Sequence, residues 1–285
     1  MERKPSWLKI KLENSPQYPR VRQLVETHKL HTICSSGKCP NIGQCWSMGT
    51  ATLMILGDIC TRSCKFCATA TGKPLPVDET EAQKVAESVK LMQLKHCVIT
   101  SVDRDDLPDK GAAHWAATIK AVRNANPQTI IEVLIPDFDA MPTLIDVVVA
   151  AKPDIIGHNM ETVERLTPLV RSRASYRKSL QVLQHAAQCG IVTKSGLMVG
   201  LGETPEEVEQ TMQEVRKAGM RLFTIGQYLQ PTTRHIPVAA YITPGQFEQY
   251  KKAGYEMGFD HIESGPLVRS SYMAEKSFLH SKIKL

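Results

Sequence analysis

Six β-prone apolar runs alternate with six amphipathic helical patterns along this 285-residue chain, and that alternation limits the fold more than any other feature. The runs span 50–57, 96–102, 129–136, 154–159, 193–201 and 221–229. The helical patterns fall near 79–94, 111–125, 141–151, 175–189, 205–218 and 244–257. Strands of one sheet joined through helices run parallel, with right-handed crossovers. A doubly wound sheet and a barrel both satisfy that count, and the strand ends tip the choice. They read DICTRSC, DRDD, PDF, HNMET, GLGE and QYLQP, so polar, glycine-bearing and metal-type residues gather where each strand stops. Active sites of β/α barrels occupy that C-terminal face. The expectation is an α/β fold: an incomplete (β/α)6 TIM-type barrel over 50–260, with an N-terminal cysteine-rich segment, 1–49, and a C-terminal tail, 261–285.

Helix boundaries carry their own markers. Thr204-Pro205-Glu206-Glu207 predicts an N-cap, a proline at the first helical position and a glutamate reaching back. Thr243-Pro244-Gly245-Gln246 repeats that logic. Val208, Met212 and Val215 recur every three to four residues and give their helix one buried face.

The chain has eight cysteines, six of them between Cys34 and Cys67. A disulfide scaffold spreads its staples over a small, loop-rich exported fold. This chain is large, and its start, MERKPSWLKIKL, has no apolar run or small-residue cleavage site typical of an export signal. Clustered cysteines in a reducing cytoplasm point to metal. No apolar run reaches the ~18 residues of a membrane span. The formal charge of +6 suits solubility or docking to an acidic partner. No basic block is interleaved with aromatics, which argues against nucleic acid.

Cys60, Cys64 and Cys67 have CxxxCxxC spacing on the loop after the first strand. Three thiolates can hold three irons of a cubane iron–sulfur cluster and leave the fourth for an outside ligand. Zinc is the alternative, but structural zinc prefers paired CxxC units and a closed fourth position. Phe66 would help to shield a cluster. Cys34, Cys39 and Cys45 form a second trio, CxxxxCxxxxxC. Electron relay is one use for a second cluster, although relay clusters are usually closed by four cysteines.

CxxxCxxC after the first strand of a β/α barrel resembles the radical S-adenosylmethionine superfamily. The upstream trio narrows the resemblance to the lipoyl synthase family. It extends along the chain through KPSWLKIKL, CSSGKCPNIGQCW, ILGDICTRSCKFC, TSVDRDDLPDKGA, HNMETV, SGLMVGLGET, GQYLQPT, HIPV and GPLVRSSY. The resemblance implies a radical sulfurtransferase with two [4Fe-4S] clusters and S-adenosyl-L-methionine as cofactors. S-Adenosylmethionine would chelate the open iron of the Cys60, Cys64 and Cys67 cluster. Its cleavage would yield a radical that removes hydrogen from C6 and C8 of an octanoyl group on a carrier lysine. Sulfur would come from an auxiliary cluster held by Cys34, Cys39, Cys45 and Ser271, the last from the family's R-S-S-Y motif at Arg269 to Tyr272. The implied partners are octanoylated lipoyl carrier domains: acyltransferase (E2) subunits of 2-oxoacid dehydrogenases and the glycine cleavage H protein. A small electron donor such as flavodoxin or ferredoxin and an iron–sulfur carrier are implied as well.

Remaining candidates are weaker. Gly200 and Glu203, in GLMVGLGE, would let backbone approach the cofactor, or form a plain tight turn. Asn159, next to His158, and Gln227-Tyr228 end their strands as contacts to cofactor or substrate, or as local hydrogen bonders. Arg171 would pair with a carboxylate or simply be solvated. Asp103, Asp105 and Asp106 would bind a metal or, as the favoured reading, cap their loop and hydrogen-bond locally. Cys97 and Cys189 read as small buried hydrophobes.

Overall fold

The computed structural model describes residues 4–10, 15–272 and 274. The chain divides into two compact units. The first comprises Ile10–Ser63 and Ala68–Ile156; the second comprises Met1–Lys9, Cys64–Cys67 and Gly157–Leu285.

The first unit opens with α1 (Gln17–Thr27), β1 (His31–Thr32) and two short helices, α2 (Ile33–Ser36) and α3 (Ile42–Ser47). Next come β2 (Thr52–Ile55), the two-residue strands β3 (Ile59–Cys60) and β4 (Ala70–Thr71), and α4 (Glu81–Leu91). β5 (His96–Ser101), α5 (Ala112–Ala125), β6 (Ile130–Leu134) and α6 (Pro142–Ala150) follow, and β7 (Ile155–Gly157) carries the chain into the second unit. β2 pairs in parallel with β5, and β5 with β6. β1 lies antiparallel to β2. Every residue of β2 is buried, as are five of the six in β5, so these strands read as continuous apolar runs rather than alternating ones. Leu53, Ile55, Ile99, Ile131 and Val133 are fully buried, with Trp115, Ile119 and Val122 of α5.

The second unit continues with α7 (Thr167–Val170), α8 (Tyr176–Gln188), β8 (Val192–Val199), α9 (Pro205–Lys217), β9 (Leu222–Gln227), α10 (Pro244–Glu256) and β10 (His261–Gly265). β8, β9 and β10 are parallel neighbours. Their core holds Leu197, Val199, Val208, Met212, Val215, Phe223, Ile225 and Ile262. α9 begins with the expected capping box: Thr204 accepts from the Glu207 N–H, and Glu207 accepts from the Thr204 N–H. Thr243 caps α10 through the Gln246 N–H.

The six expected strands are all present, somewhat shorter than their apolar runs. β10 is additional, and its residues lie where the sequence suggests the start of a tail. His261-Ile262-Glu263-Ser264-Gly265 has a single aliphatic residue, which leaves no apolar run to read. The N-terminal segment also holds helices that periodicity does not announce, since α1 buries only Val21 and Val25. Residues 273 and 275–285 of the expected tail lie outside the described residues, as do 1–3 and 11–14 of the N-terminal segment.

Candidate metal centres

All eight cysteines are described and none is in a disulfide. The first trio sits on and between α2 and α3. Thr32 caps α2 by accepting from the Ser35 N–H, which places Cys34 in the first turn. The Cys39 N–H donates to the Cys34 carbonyl at 3.0 Å, and the Cys45 N–H to the Asn41 carbonyl at 2.8 Å. Cys34 is buried in a small apolar cluster with Val21, Val25, Trp46 and Ala51, against which Cys39 and Cys45 pack. Burial pushes the Cys45 thiol up to about 12, and the neighbouring Cys34 and Cys39 add to that shift. Burial also raises Cys34; a backbone hydrogen bond from Thr52 and side-chain hydrogen bonds from Trp46 and Thr52 oppose it. Three thiols gathered on one small apolar cluster, two of them partly exposed, make a donor set that a thiolate-binding metal group suits. An iron–sulfur group therefore fits the residues present.

Cys60, the first ligand candidate of the second trio, ends β3 in the first unit. Its approach is fixed by strain held in place. Leu56 has φ 67°, a left-handed conformation that costs a residue with a Cβ. Its N–H donates to Glu81 at 2.7 Å, its carbonyl accepts from Arg104 at 3.3 Å, and His114 steadies Glu81 at 2.7 Å. The Cys60 Sγ accepts backbone N–H groups of Arg62 at 3.4 Å and Asp103 at 3.3 Å, donors that would support a ligating thiolate.

Arg62 lies two residues on and is locked by aspartates distant in sequence. It makes bidentate pairs with Asp105, at 2.8 and 2.9 Å, and with Asp137, at 2.9 and 2.8 Å. Asp103 lies 3.4 Å away. The aspartate loop is thus a clamp on the cysteine loop rather than a local cap. Asp106 alone behaves locally, paired with Arg104. Spacing along the chain gives no hint of the Arg62–Asp137 pair.

Cys64 and Cys67 belong to the second unit. The Lys65 N–H donates to the Val170 carbonyl at 2.9 Å, and the Lys65 carbonyl accepts from Ile236 at 3.2 Å. His235 Nε2 lies 2.9 Å from the Cys67 carbonyl, and Thr232 Oγ1 lies 2.8 Å from Nδ1. The carbonyl can only accept, so Nε2 carries the proton and Nδ1 accepts from the threonine hydroxyl. Cys64 Sγ lies 3.8 Å from Ser172 Oγ. Phe66 packs against the core of this unit.

The other candidates cluster at the ends of β7, β8 and β9. Asn159 donates to Glu161 at 3.1 Å. Burial raises the Glu161 carboxyl, against the charge of Arg171 and the Asn159 hydrogen bond. Arg171 is buried, not solvated, and donates to Ser179 Oγ at 2.8 Å, a hydroxyl also 2.9 Å from His158 Nε2. Glu203 spends both oxygens on its own turn, accepting from Gly200 at 2.5 Å and Leu201 at 2.9 Å. Gly200 has φ 97°, and a Cβ there would overlap Gln227 Nε2, so no other residue suits the position.

Gln227 fastens the segment after β9. Its Nε2 donates to carbonyls of Ala240, Tyr228 and Val199, while its Oε1 accepts from Ile242 at 2.8 Å. The Tyr228 hydroxyl donates to the Ile236 carbonyl at 2.7 Å, and burial pushes it up to about 12. Gln227 and Tyr228 therefore hold the segment whose His235 holds Cys67. Ser271 lies in the turn after β10, half-buried, where the Tyr272 N–H donates to the Arg269 carbonyl. Cys97 is fully buried as expected, whereas Cys189, at the C-cap of α8, is exposed.

Known proteins resemble the chain at two levels. Solved structures share the fold: methylornithine synthase (PylB) has a TM-score of 0.57 at 10% identity, covering 86% of this chain and 74% of its own. Streptococcus suis SuiB bound to S-adenosylmethionine has a TM-score of 0.58 at 8% identity, covering 76% of this chain and 52% of its own. In sequence, the Radical SAM superfamily profile matches residues 54–215. Lipoyl synthase of Bacteroides fragilis strain YCH46 is 61% identical over 96% of this chain and 95% of its own. That of Flavobacterium psychrophilum is 57% identical over 97% and 96%. Similarity of this extent runs through both cysteine trios and both units, and the chain belongs to the lipoyl synthase family of the Radical SAM superfamily.

Proposed function

We propose that this enzyme inserts two sulfur atoms, at C6 and C8, into an octanoyl group carried on a lysine of a lipoyl domain. The observation that carries the reading is the pair of cysteine trios, each unbridged and each framed differently, in a chain of this family. Cys60, Cys64 and Cys67 would hold one [4Fe-4S] cluster, and Cys34, Cys39, Cys45 and Ser271 the other. When bound, the first of these with S-adenosylmethionine supplies a radical able to break an unactivated C–H bond, and the second supplies sulfur.

The protein's part is binding, orientation and exclusion of water. Arg62 and its aspartates set the course of the loop at Cys60; His235 and the Val170 carbonyl set it at Cys64–Cys67. Asn159, Arg171, Gly200, Glu203, Gln227 and Tyr228 are the proposed surroundings of S-adenosylmethionine. Among them Glu203 and Gln227 act by shaping backbone, since their polar atoms are already engaged. Ser271 would be a hard oxygen ligand on a metal that prefers thiolate, and so the arm most easily released on protonation.

We further assign the parallel strands to an incomplete (β/α)6 barrel, with 1–49 and 261–285 supplying auxiliary-cluster ligands. The partners would be octanoylated E2 subunits and glycine cleavage H protein, a flavodoxin or ferredoxin, and an iron–sulfur carrier, all in the cytoplasm. No helix among the described residues is long and apolar enough to cross a membrane. The test is anaerobic reaction of the reconstituted enzyme with reductant, S-adenosylmethionine and an octanoyl-lysine peptide, read by mass spectrometry. A product with two added sulfurs supports the function; absence of 5′-deoxyadenosine with both clusters intact rejects it.

A further inference from the structure

Gly226 stands one residue before the end of β9, paired with Met198 of β8 on one side and Gly265 of β10 on the other. Glycine weakens a strand, and where it occurs in one it commonly marks the close approach of another backbone. Neither Gly226 nor Gly265 has a positive φ, so backbone freedom is not what either position requires. What both require is space. A Cβ on Gly226 would overlap the Val268 carbonyl oxygen and lie 3.3 Å from Arg269 Nη1, and one on Gly265 would lie 3.3 Å from Val268 Cγ2. Two neighbouring strands thus leave a bare trough, and Val268 and Arg269 lie in it.

Hydrogen bonds hold this segment in two consecutive turns. The Val268 N–H donates to the Gly265 carbonyl at 3.1 Å and closes a turn over 265–268, with Pro266 at the second position, where its fixed φ is suited. The Tyr272 N–H donates to the Arg269 carbonyl at 2.9 Å and closes the next turn, with Ser270 and Ser271 as its central residues. Arg269 Nη1 donates back to the Val268 carbonyl at 2.6 Å, the same oxygen that a side chain on Gly226 would displace. Ser271 follows Val268 by three residues, a chain reach of about 11 Å at most, and the second turn shortens it. We infer that Gly226 and Gly265 are positioning residues for Ser271: they seat the junction of the two turns and so fix where the serine is presented. The inference rests on the reading of Ser271 as a ligand of the first trio's cluster.

Gly226→Ala adds one methyl at the point of overlap, and overpacking of this kind forces backbone to move. Gly245→Ala is the control, since a Cβ there would meet nothing nearer than Thr243 Oγ1, at 3.9 Å. Ser271→Ala is the benchmark for loss of the ligand. Amide hydrogen exchange is read on each protein, and electron paramagnetic resonance with iron counting reads the two clusters of each reconstituted holoenzyme. The expected result for Gly226→Ala is about tenfold faster exchange at the Val268 and Tyr272 amides. Its first-trio cluster signal should move to that of Ser271→Ala, with the control matching the parent. Gly265→Ala, whose methyl would crowd only the Val268 side chain, should show both changes in smaller degree, and it decides the matter where Gly226→Ala fails to fold. Parental exchange at Tyr272 together with a parental cluster signal overturns the inference, and so does faster exchange with a parental signal. Failure of the underlying reading looks different: Ser271→Ala would itself leave the first trio's signal parental, and the inference would fall with it.

Discussion

Replacing Arg62 by leucine removes the guanidinium from between Asp105 and Asp137 and leaves Asp105 with Lys110, at 3.5 Å. The Arg62 side chain is 4% exposed, Asp105 8% and Asp137 1%. Burial disfavours the guanidinium charge, yet hydrogen bonds to Asp105 and Asp137 outweigh it and push its pKa above the ordinary arginine value. Four charge-assisted hydrogen bonds disappear with it, and two buried carboxylates lose their main counter-charge. Breaking a buried pair by deleting one partner costs about 3–5 kcal/mol. At about 2–4 °C per kcal/mol for a chain of this size class, the melting temperature should fall by about 6–20 °C.

The loss has a pH signature. A buried carboxylate without its cation has a raised pKa, so it destabilises the fold increasingly as pH climbs through that value. The deficit of Arg62→Leu should therefore be larger at pH 8 than at pH 5. Arg62→Lys should fall between, because a point charge cannot make two bidentate pairs. The assay is thermal unfolding of reduced apoprotein at both pH values, with hydrogen exchange at the Thr61 amide, which donates to the Asp103 carbonyl at 3.1 Å. A melting temperature within about 2 °C of the parent at pH 8, with Thr61 exchange unchanged, would refute the clamp.

Three other outcomes are expected. Alanine at Cys60, Cys64 or Cys67 should abolish S-adenosylmethionine cleavage and leave the first trio's cluster in place, whereas alanine at Cys34, Cys39 or Cys45 should leave cleavage detectable but stop sulfur insertion; iron content and product analysis separate the two. Ser271→Cys should retain a cluster and slow sulfur transfer, with Ser270→Ala mild, and parental rates of lipoyl formation in Ser271→Cys would remove the release role. Glu207, pulled down to about 2 by Arg165 and the Thr204 N–H, stabilises the start of α9 above the ordinary carboxylate range and ceases to do so as pH falls from ~4.5 toward 2; Glu207→Gln should therefore cost stability at pH 7 and little at pH 2, read by urea unfolding of apoprotein.

What the sequence discloses depends on whether a residue's partner is close along the chain. β2, β5, β8 and β9 were readable because strands buried on both faces carry β-prone apolar stretches in place of strict alternation. The Thr204–Glu207 capping box was readable because both partners lie within one turn. The two trios stood out because each is written within one short stretch of chain. Arg62 was not, although it stands between two of those cysteines, since its aspartates come 43 and 75 positions later. Gln227 was singled out by its place at a strand end, but its partners are backbone carbonyls and one N–H, which no side-chain pattern records. Cys189 illustrates the opposite error: a small apolar residue suggests burial, but the end of a helix puts it in solvent.

The surroundings of the two trios differ in kind, and the difference suits the role proposed for each. Around Cys60 and around Cys64–Cys67 the loop course is set by side-chain bonds: Glu81 to the Leu56 N–H, His235 to the Cys67 carbonyl, and two bidentate carboxylate pairs on the Arg62 guanidinium. Such bonds fix a geometry that must survive every turnover. The first trio is carried on helices of four and six residues over an apolar cluster of modest size. Helices that short have little intrinsic stability and rely on their packing, and segments with small cores are the first to open locally. Under the proposed function the first trio's cluster would be dismantled in each catalytic cycle, and its holder would have to admit a replacement. Burial pushes the Cys34 and Cys45 thiols up, so both favour the neutral form until metal takes the place of the proton.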